Sequence, residues 1–220
     1  MLVLIADTSG KHGCVALARA ESDQVEVIES VPLAGGTFSA QLVPQIAELL
    51  AKDGFAKRDI GAFTVISGPG SFTGLRVGLA AIKALAEILD KPIVPVSLLE
   101  VIAVESGVRG KVMAAVDAGR GEVYAGEYDI AESTRLVREQ LLTPDEFLSA
   151  VGGTVVSTPD DVLAQAAQDR GIRVIRVPMP DAAALARVGW RRLRAAQTVT
   201  PEQLEANYIR RSDAEIFAKK

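Results

Sequence analysis

Apolar and polar positions along this chain fall into short blocks whose period changes repeatedly. Residues 2–8, LVLIADT, are an apolar run closed by Asp7, the pattern of a buried strand. SGKHG turns it back, CVALAR reads as the return strand, and a third strand follows near VEVIESV. Ser39 stands where it can cap a helix whose stripe is Leu42, Ile46, Leu49 and Leu50. A strand at 61–67, a glycine-rich turn, a helix to about Leu89, the strand PIVPV and a helix capped by Ser97 complete the order βββαβαβα.

The opening pattern then returns. In KVMAAVDAGRGEVYAGEYDI, residues 111–130, an apolar strand again ends in aspartate, turns through glycines and comes back as a strand. Asp7 and Asp117 lie 110 residues apart, half of the 220. Such a repeat predicts an α/β protein of two similarly built lobes, 1–108 and 109–220, divided near Gly107 to Gly110. The second reads as smaller and less regular: VVSTP, a helix to Arg170, VIRVP, then a helix from Asp181 to Ala196. A strand–Asp–Gly hairpin opening each lobe resembles the two phosphate hairpins of the actin, Hsp70 and sugar-kinase superfamily (ASKHA). In that superfamily the turn amides and aspartates face a nucleotide and its Mg²⁺. The resemblance makes Asp7, Asp117 and Arg120 candidate nucleotide-hairpin residues.

Composition narrows the chemistry. A hydrophobic content of 49% suffices for a substantial core, and a net charge of −4 argues against autonomous nucleic-acid binding. From Arg187 onward there are eight Lys and Arg against four Asp and Glu, so this end is +4 and residues 1–186 carry −8. That basic end reads as a solvated helix face or as a contact for an acidic partner. Cys14 is the single cysteine, so no intramolecular disulfide forms and a reducing compartment is natural. MLVLIAD lacks a basic leader region and no apolar run approaches the ~20 residues of a membrane helix, so a cytoplasmic protein is expected. With His12 the lone histidine, a His/Cys metal cage is out of reach. A His12–Cys14 dyad has no oxyanion device beside it; a turn histidine and a core cysteine are the plainer reading.

The turn Gly68-Pro69-Gly70-Ser71-Phe72-Thr73-Gly74 looks at first like a phosphate cradle. A Walker A loop would need lysine after the second glycine, and Gly74 is followed by Leu75. A Rossmann turn would need glycine where Thr73 stands and would follow the first strand, not the fourth. The architectural reading remains: Gly68 and Gly70 permit unusual backbone, Ser71 or Thr73 caps the helix, and Gly74 permits close packing. The following helix gathers Arg76, Lys83, Glu87 and Asp90 into about 60° of arc and leaves roughly 260° apolar, wider than one core needs. Neighbouring elements of the same chain can supply that cover; so can a partner protein. On the second reading Ala80 and Ala84 form the centre of a docking face, Arg76, Lys83 and Glu87 its rim, with Leu42 and Ile46 contributed by the preceding helix.

GPGSFTGLRVGLAAIKALA, with AFTVIS before it and KPIVPVSLLEVIA after it, is closely similar to the signature of the TsaB (YeaZ) family. The resemblance extends to IADTS, AVDAGRGEVYAGEY and NYIRR, nearly the full length. It implies a two-lobed ASKHA fold that is a degenerate relative of TsaD, the subunit that makes N6-threonylcarbamoyladenosine at position 37 of tRNAs reading ANN codons. By resemblance the protein is a non-catalytic subunit with no catalytic residue and no metal of its own. It would pair with TsaD helix pair to helix pair and support a complex with the ATPase TsaE. tRNA would be met only through the complex, a homodimer would form in isolation, and ATP or ADP would sit, if anywhere, at the junction with TsaD. TsaD carries a His-x-x-x-His metal motif on its first-lobe helix; SAQLVPQIAELL contains no histidine. Relatives often have His-Ser where this chain has Phe38-Ser39, and Asp-Ala-Arg where it has Asp117-Ala118-Gly119 with Arg120 one place on. The alternative is an active ASKHA ATPase or phosphotransferase organising Mg-ATP with Asp7 and Asp117.

Overall fold

The computed structural model describes residues 1–210. The first apolar run is β1 (Leu2–Asp7), buried at every position. It returns as β2 (His12–Glu21), antiparallel, with Asp7 opposite Cys14, and β3 (Gln24–Ala34) pairs antiparallel with β2. After α1 (Phe38–Lys52) and a short 3₁₀ turn (Lys57–Asp59), β4 (Ile60–Gly68) lies parallel to β1. α2 (Phe72–Leu89) crosses over to β5 (Ile93–Ser97), parallel to β4, and α3 (Leu98–Glu105) follows. The sheet order is β3-β2-β1-β4-β5. Ser71 caps α2 by accepting from Gly74 N, and Asp90 ends the helix in a left-handed conformation. Ser39 does not cap α1. Thr37 holds the cap position, its hydroxyl donating back to Ala34 O at 2.9 Å, and Ser39 falls inside the first turn.

The second half is as regular as the first. β6 (Gly110–Gly119), β7 (Glu122–Ile130), β8 (Thr134–Leu142), α4 (Pro144–Ala150), β9 (Val155–Thr158), α5 (Asp161–Asp169), β10 (Val174–Arg176) and α6 (Ala182–Arg194) repeat βββαβαβα. Their sheet order, β8-β7-β6-β9-β10, reproduces that of the first sheet strand for strand. The expectation of a less regular second lobe is corrected by β8 and α4, which apolar periodicity alone does not reveal.

Packing divides the described chain into two compact units: Met1–Ser97 with Asp181–Tyr208, and Leu98–Pro180 with Ile209 and Arg210. A single cut at residue 108 does not follow this division, because the closing helix of each half packs on the other half's sheet. α3 lies on β6, β7 and β9; α6 lies on β2, β3 and β5. In the first unit, Leu42 and Leu49 of α1 and Leu79 and Ile82 of α2 share one core with Leu4, Leu17, Phe63 and Val65. Both helices therefore cover the same face of that sheet. Complete burial of a side chain such as Leu42 or Ile82 stabilises by roughly 1.5–3 kcal/mol. The second unit builds its core from Met113, Val123, Phe147, Val156 and Leu163.

Candidate functional site

The glycine turn after β4 is packed against the chain just after β1. Ser71 N donates to Ser9 O at 2.6 Å, and Thr8 Oγ1 donates to Gly74 O at 2.8 Å. A side chain at Gly70 would strike Ser9 O, one at Gly74 would strike Thr8 O, and one at Gly78 would strike Thr8 Oγ1. Gly68, at φ +139°, lies against Asn207, whose N–H donates to Ser67 O at 2.7 Å. Gly74 N and Leu75 N, at the start of α2, both bond to Ser71. These glycines serve close packing, and the turn's polar groups are largely occupied by the chain itself. Pro69 and Thr73 complete the turn.

The two aspartates have different surroundings. Asp7 is buried, and its Oδ1 accepts from Ser9 N at 2.8 Å and from Ser9 Oγ at 2.6 Å. Burial pushes its pKa above the ordinary carboxylate value, and the two Ser9 bonds pull the other way. Asp117 is exposed and accepts from Gly119 N at 2.9 Å in a local turn. Gly119, Arg120 and Gly121 all have positive φ, and Arg120 is exposed. A residue overlooked in the sequence, Arg210, reaches this hairpin. Its Nη2 donates to Glu122 Oε2 at 2.6 Å and to Gly119 O at 3.2 Å, and the guanidinium lies 5.7 Å from the Tyr124 ring centre. NYIRR carried the signal, but its partners come from about ninety residues away. Asp7 and Asp117 belong to different units. Among the described residues no three His, Cys, Asp or Glu gather as metal ligands, and no helix is long and apolar enough to cross a membrane.

On α2, Leu75, Gly78, Leu79, Ile82 and Ala86 are buried, so the chain covers more of the apolar arc than its width suggested. Ala80, Ala84 and Ile88 stay exposed, Ile88 at 73%, in line along one face with exposed Arg76; Glu87 is exposed beside them and Lys83 is half-buried. Leu42 and Ile46 do not belong to this outer face. They are 1% and 4% exposed and sit in the unit's own core, because the α1 stripe points at the sheet. One position further round α1, Val43, Ala47 and Ala51 form an exposed row, Val43 at 54%. Arg187, Arg191 and Arg194 are exposed on α6, where Arg194 pairs with Asp23. Arg211, Lys219 and Lys220 of the basic tail lie outside the described residues.

A family model described as TsaD, tRNA N6-adenosine threonylcarbamoyltransferase, matches residues 31–188. The tRNA threonylcarbamoyladenosine biosynthesis protein TsaB of Haemophilus influenzae is 32% identical over 178 residues, 79% of this chain and 71% of that protein. The chain belongs to the TsaB (YeaZ) family. The Bacillus subtilis TsaB is 35% identical over 129 residues, and the match spans 58% of this chain and 55% of that relative. YeaZ from Pseudomonas aeruginosa superposes with a TM-score of 0.75 at 26% identity, over 94% of this chain and 99% of that one. The ADPNP-bound activator of 2-hydroxyisocaproyl-CoA dehydratase from Clostridium difficile, 11% identical with a TM-score of 0.51, covers 90% of this chain and 97% of its own. That likeness concerns the fold alone, which is of the ASKHA type. Within the TsaB family this chain's Phe38 is a core residue, 5% exposed, its ring against Gly13 and Gly74.

Proposed function

We propose that this chain serves tRNA threonylcarbamoyladenosine formation as a non-catalytic subunit, by docking TsaD on the outer face of α1 and α2. The observation that carries the reading is the pair of uncovered apolar rows, Val43–Ala47–Ala51 and Ala80–Ala84–Ile88, on neighbouring helices that share a core. Small side chains let a partner helix approach closely, and the large apolar ones, Val43 and Ile88, are more than half exposed in the free chain. A stable pairing needs about 800 Å² on each side, which two helix faces can supply. Relatives named for tRNA threonylcarbamoyladenosine biosynthesis support the pathway, and α1 lacks the histidines that a TsaD-type metal motif requires.

In this reading TsaE joins the TsaD-bound complex, tRNA is met through TsaD, and nucleotide belongs to the assembled junction. Without TsaD the same rows pair with a second copy. A free-standing ATPase built on Asp7 and Asp117 has less support, since Asp7 Oδ1 already holds both Ser9 donors. Reconstitution tests the proposal: TsaD, TsaE and the threonylcarbamoyl-adenylate synthase should modify tRNA efficiently only when this protein is added. Equal modification without it would contradict the reading.

A further inference from the structure

Arg76 is exposed, yet its guanidinium is not free to wander. Its plane stacks on Phe72, one turn back on α2, with 3.7 Å from Cζ to the ring centre. Its Nε donates to Tyr208 Oη at 3.2 Å. The Phe72 and Tyr208 rings in turn contact each other at 4.8 Å between centroids. Tyr208 is itself anchored, because the residue before it bonds Ser67 O and packs on Gly68. Stacking takes one face of the guanidinium and the tyrosine oxygen takes Nε. Neither Nη has an acceptor among the described residues.

We propose that Phe72 and Tyr208 are positioning residues that hold Arg76 as a preset fork for a carboxylate on the protein that docks along α2. The proposal rests on the docking reading above and adds a specificity element to it. An arginine on a surface normally loses rotamer freedom when it pairs, which cancels most of the gain. An arginine already fixed loses little, and its two Nη groups match the two oxygens of a carboxylate.

A phosphate has the same acceptor geometry, but the surroundings favour a protein. Arg76 heads the line Ala80, Ala84, Ile88, an apolar row that a nucleic-acid backbone has no reason to cover, and exposed Glu87 beside that row repels a polyanion. A helix with small apolar side chains and one acidic residue near the α2 N-terminus satisfies both features. The charge order along α2, positive at Arg76 and negative at Glu87, also fixes the direction in which such a helix can lie.

The test measures binding of the cognate TsaD to the full-length chain as wild type, Tyr208→Phe, Arg76→Ala, the double variant, Arg76→Lys and Ala84→Arg, over a salt series. Tyr208→Phe keeps the ring and removes only the oxygen. Its expected effect is a loss of roughly 3–10-fold in affinity, with no further loss when Arg76 is already alanine. Arg76→Lys, which keeps the charge but not the fork, should lose most of the affinity that Arg76→Ala loses, while only Arg76→Ala should flatten the salt dependence of association. A merely structural Tyr208 would cost the same in either background, which overturns the proposal, as does no loss in either. Arg76→Ala that spares TsaD while weakening binding of tRNA alone would assign the fork to phosphate instead. Ala84→Arg separates the two levels. If it abolishes TsaD binding while Tyr208→Phe has no effect, the fork is wrong and the docking face stands; if it binds normally, both fall.

Discussion

Thr8 Oγ1 donates to Gly74 O at 2.8 Å, tying the turn after β1 to the first turn of α2, and Gly78 presses on the same hydroxyl from one turn further along. The angle at which α2 leaves the sheet depends on this contact. Alanine is the better helix former by about 1 kcal/mol, yet Gly78→Ala should destabilise by about 1–3 kcal/mol, because its methyl has no room beside Thr8. Combined with Thr8→Ala, the loss should be smaller than the sum of the two single losses, since the methyl then occupies vacated space. Urea denaturation of the four proteins checks this. Strict additivity would mean that the two residues do not share one packing site.

The buried Asp7 carboxylate gives a pH signature. Its folded pKa lies above the ordinary value of 3.8, with burial as the largest cause. Within the window between 3.8 and the raised folded value, the folded protein holds the proton more tightly than the unfolded chain. The group's contribution to stability therefore grows as pH falls through that window and is least favourable near neutrality. Asp7→Asn keeps an oxygen for Ser9 and removes the charge. Relative to wild type, Asn should do best near neutrality, with its advantage shrinking as pH falls toward 3.8. A stability difference that stays constant across that range would contradict burial as the dominant cause.

Cys14 should be chemically quiet. Burial, followed by the carboxylates of Asp7 and Asp181, pushes its thiol up to about 12. At about pH 8 that leaves roughly one thiolate in ten thousand, and the thiolate is the reactive form. An aromatic disulfide reagent should label the folded protein at least ~100-fold more slowly than the denatured chain. Cys14 is only partly covered by the fold, so fast labelling of the native protein would contradict burial as the main cause that keeps its thiol protonated.

The limits of sequence reading are visible in particular elements. β1, β4 and α2 were legible because each is an apolar block bounded by turn residues. β8 was not. It is an edge strand facing solvent, where Arg135 pairs with Asp129 and Arg138 with Glu127, so cross-strand charges replace apolar alternation. α4 did carry a local signal: Thr143, Pro144 and Glu146 form a capping box with proline at the first turn. On α1 the apolar stripe was read correctly but given the wrong role. Leu42 and Ile46 were expected on the docking face, whereas larger apolar side chains go to the sheet and the adjacent Val43 and Ala47 remain outside. Thr8, Ser9, Tyr208 and Arg210 stayed hidden because their partners lie far along the chain, and spacing within a motif does not reveal which distant residues a glycine approaches.

The central claim is that the exposed row on α2 receives TsaD, and one substitution tests it most directly. Ala84→Arg places a long cation in the middle of that row, while Val162→Arg does the same at a 77% exposed apolar position on α5, in the other unit. Each purified variant is mixed with the cognate TsaD and its binding measured by calorimetry, after circular dichroism has confirmed that it is folded. Ala84→Arg should lose detectable binding and Val162→Arg should bind as wild type does. Wild-type affinity in Ala84→Arg would contradict the account.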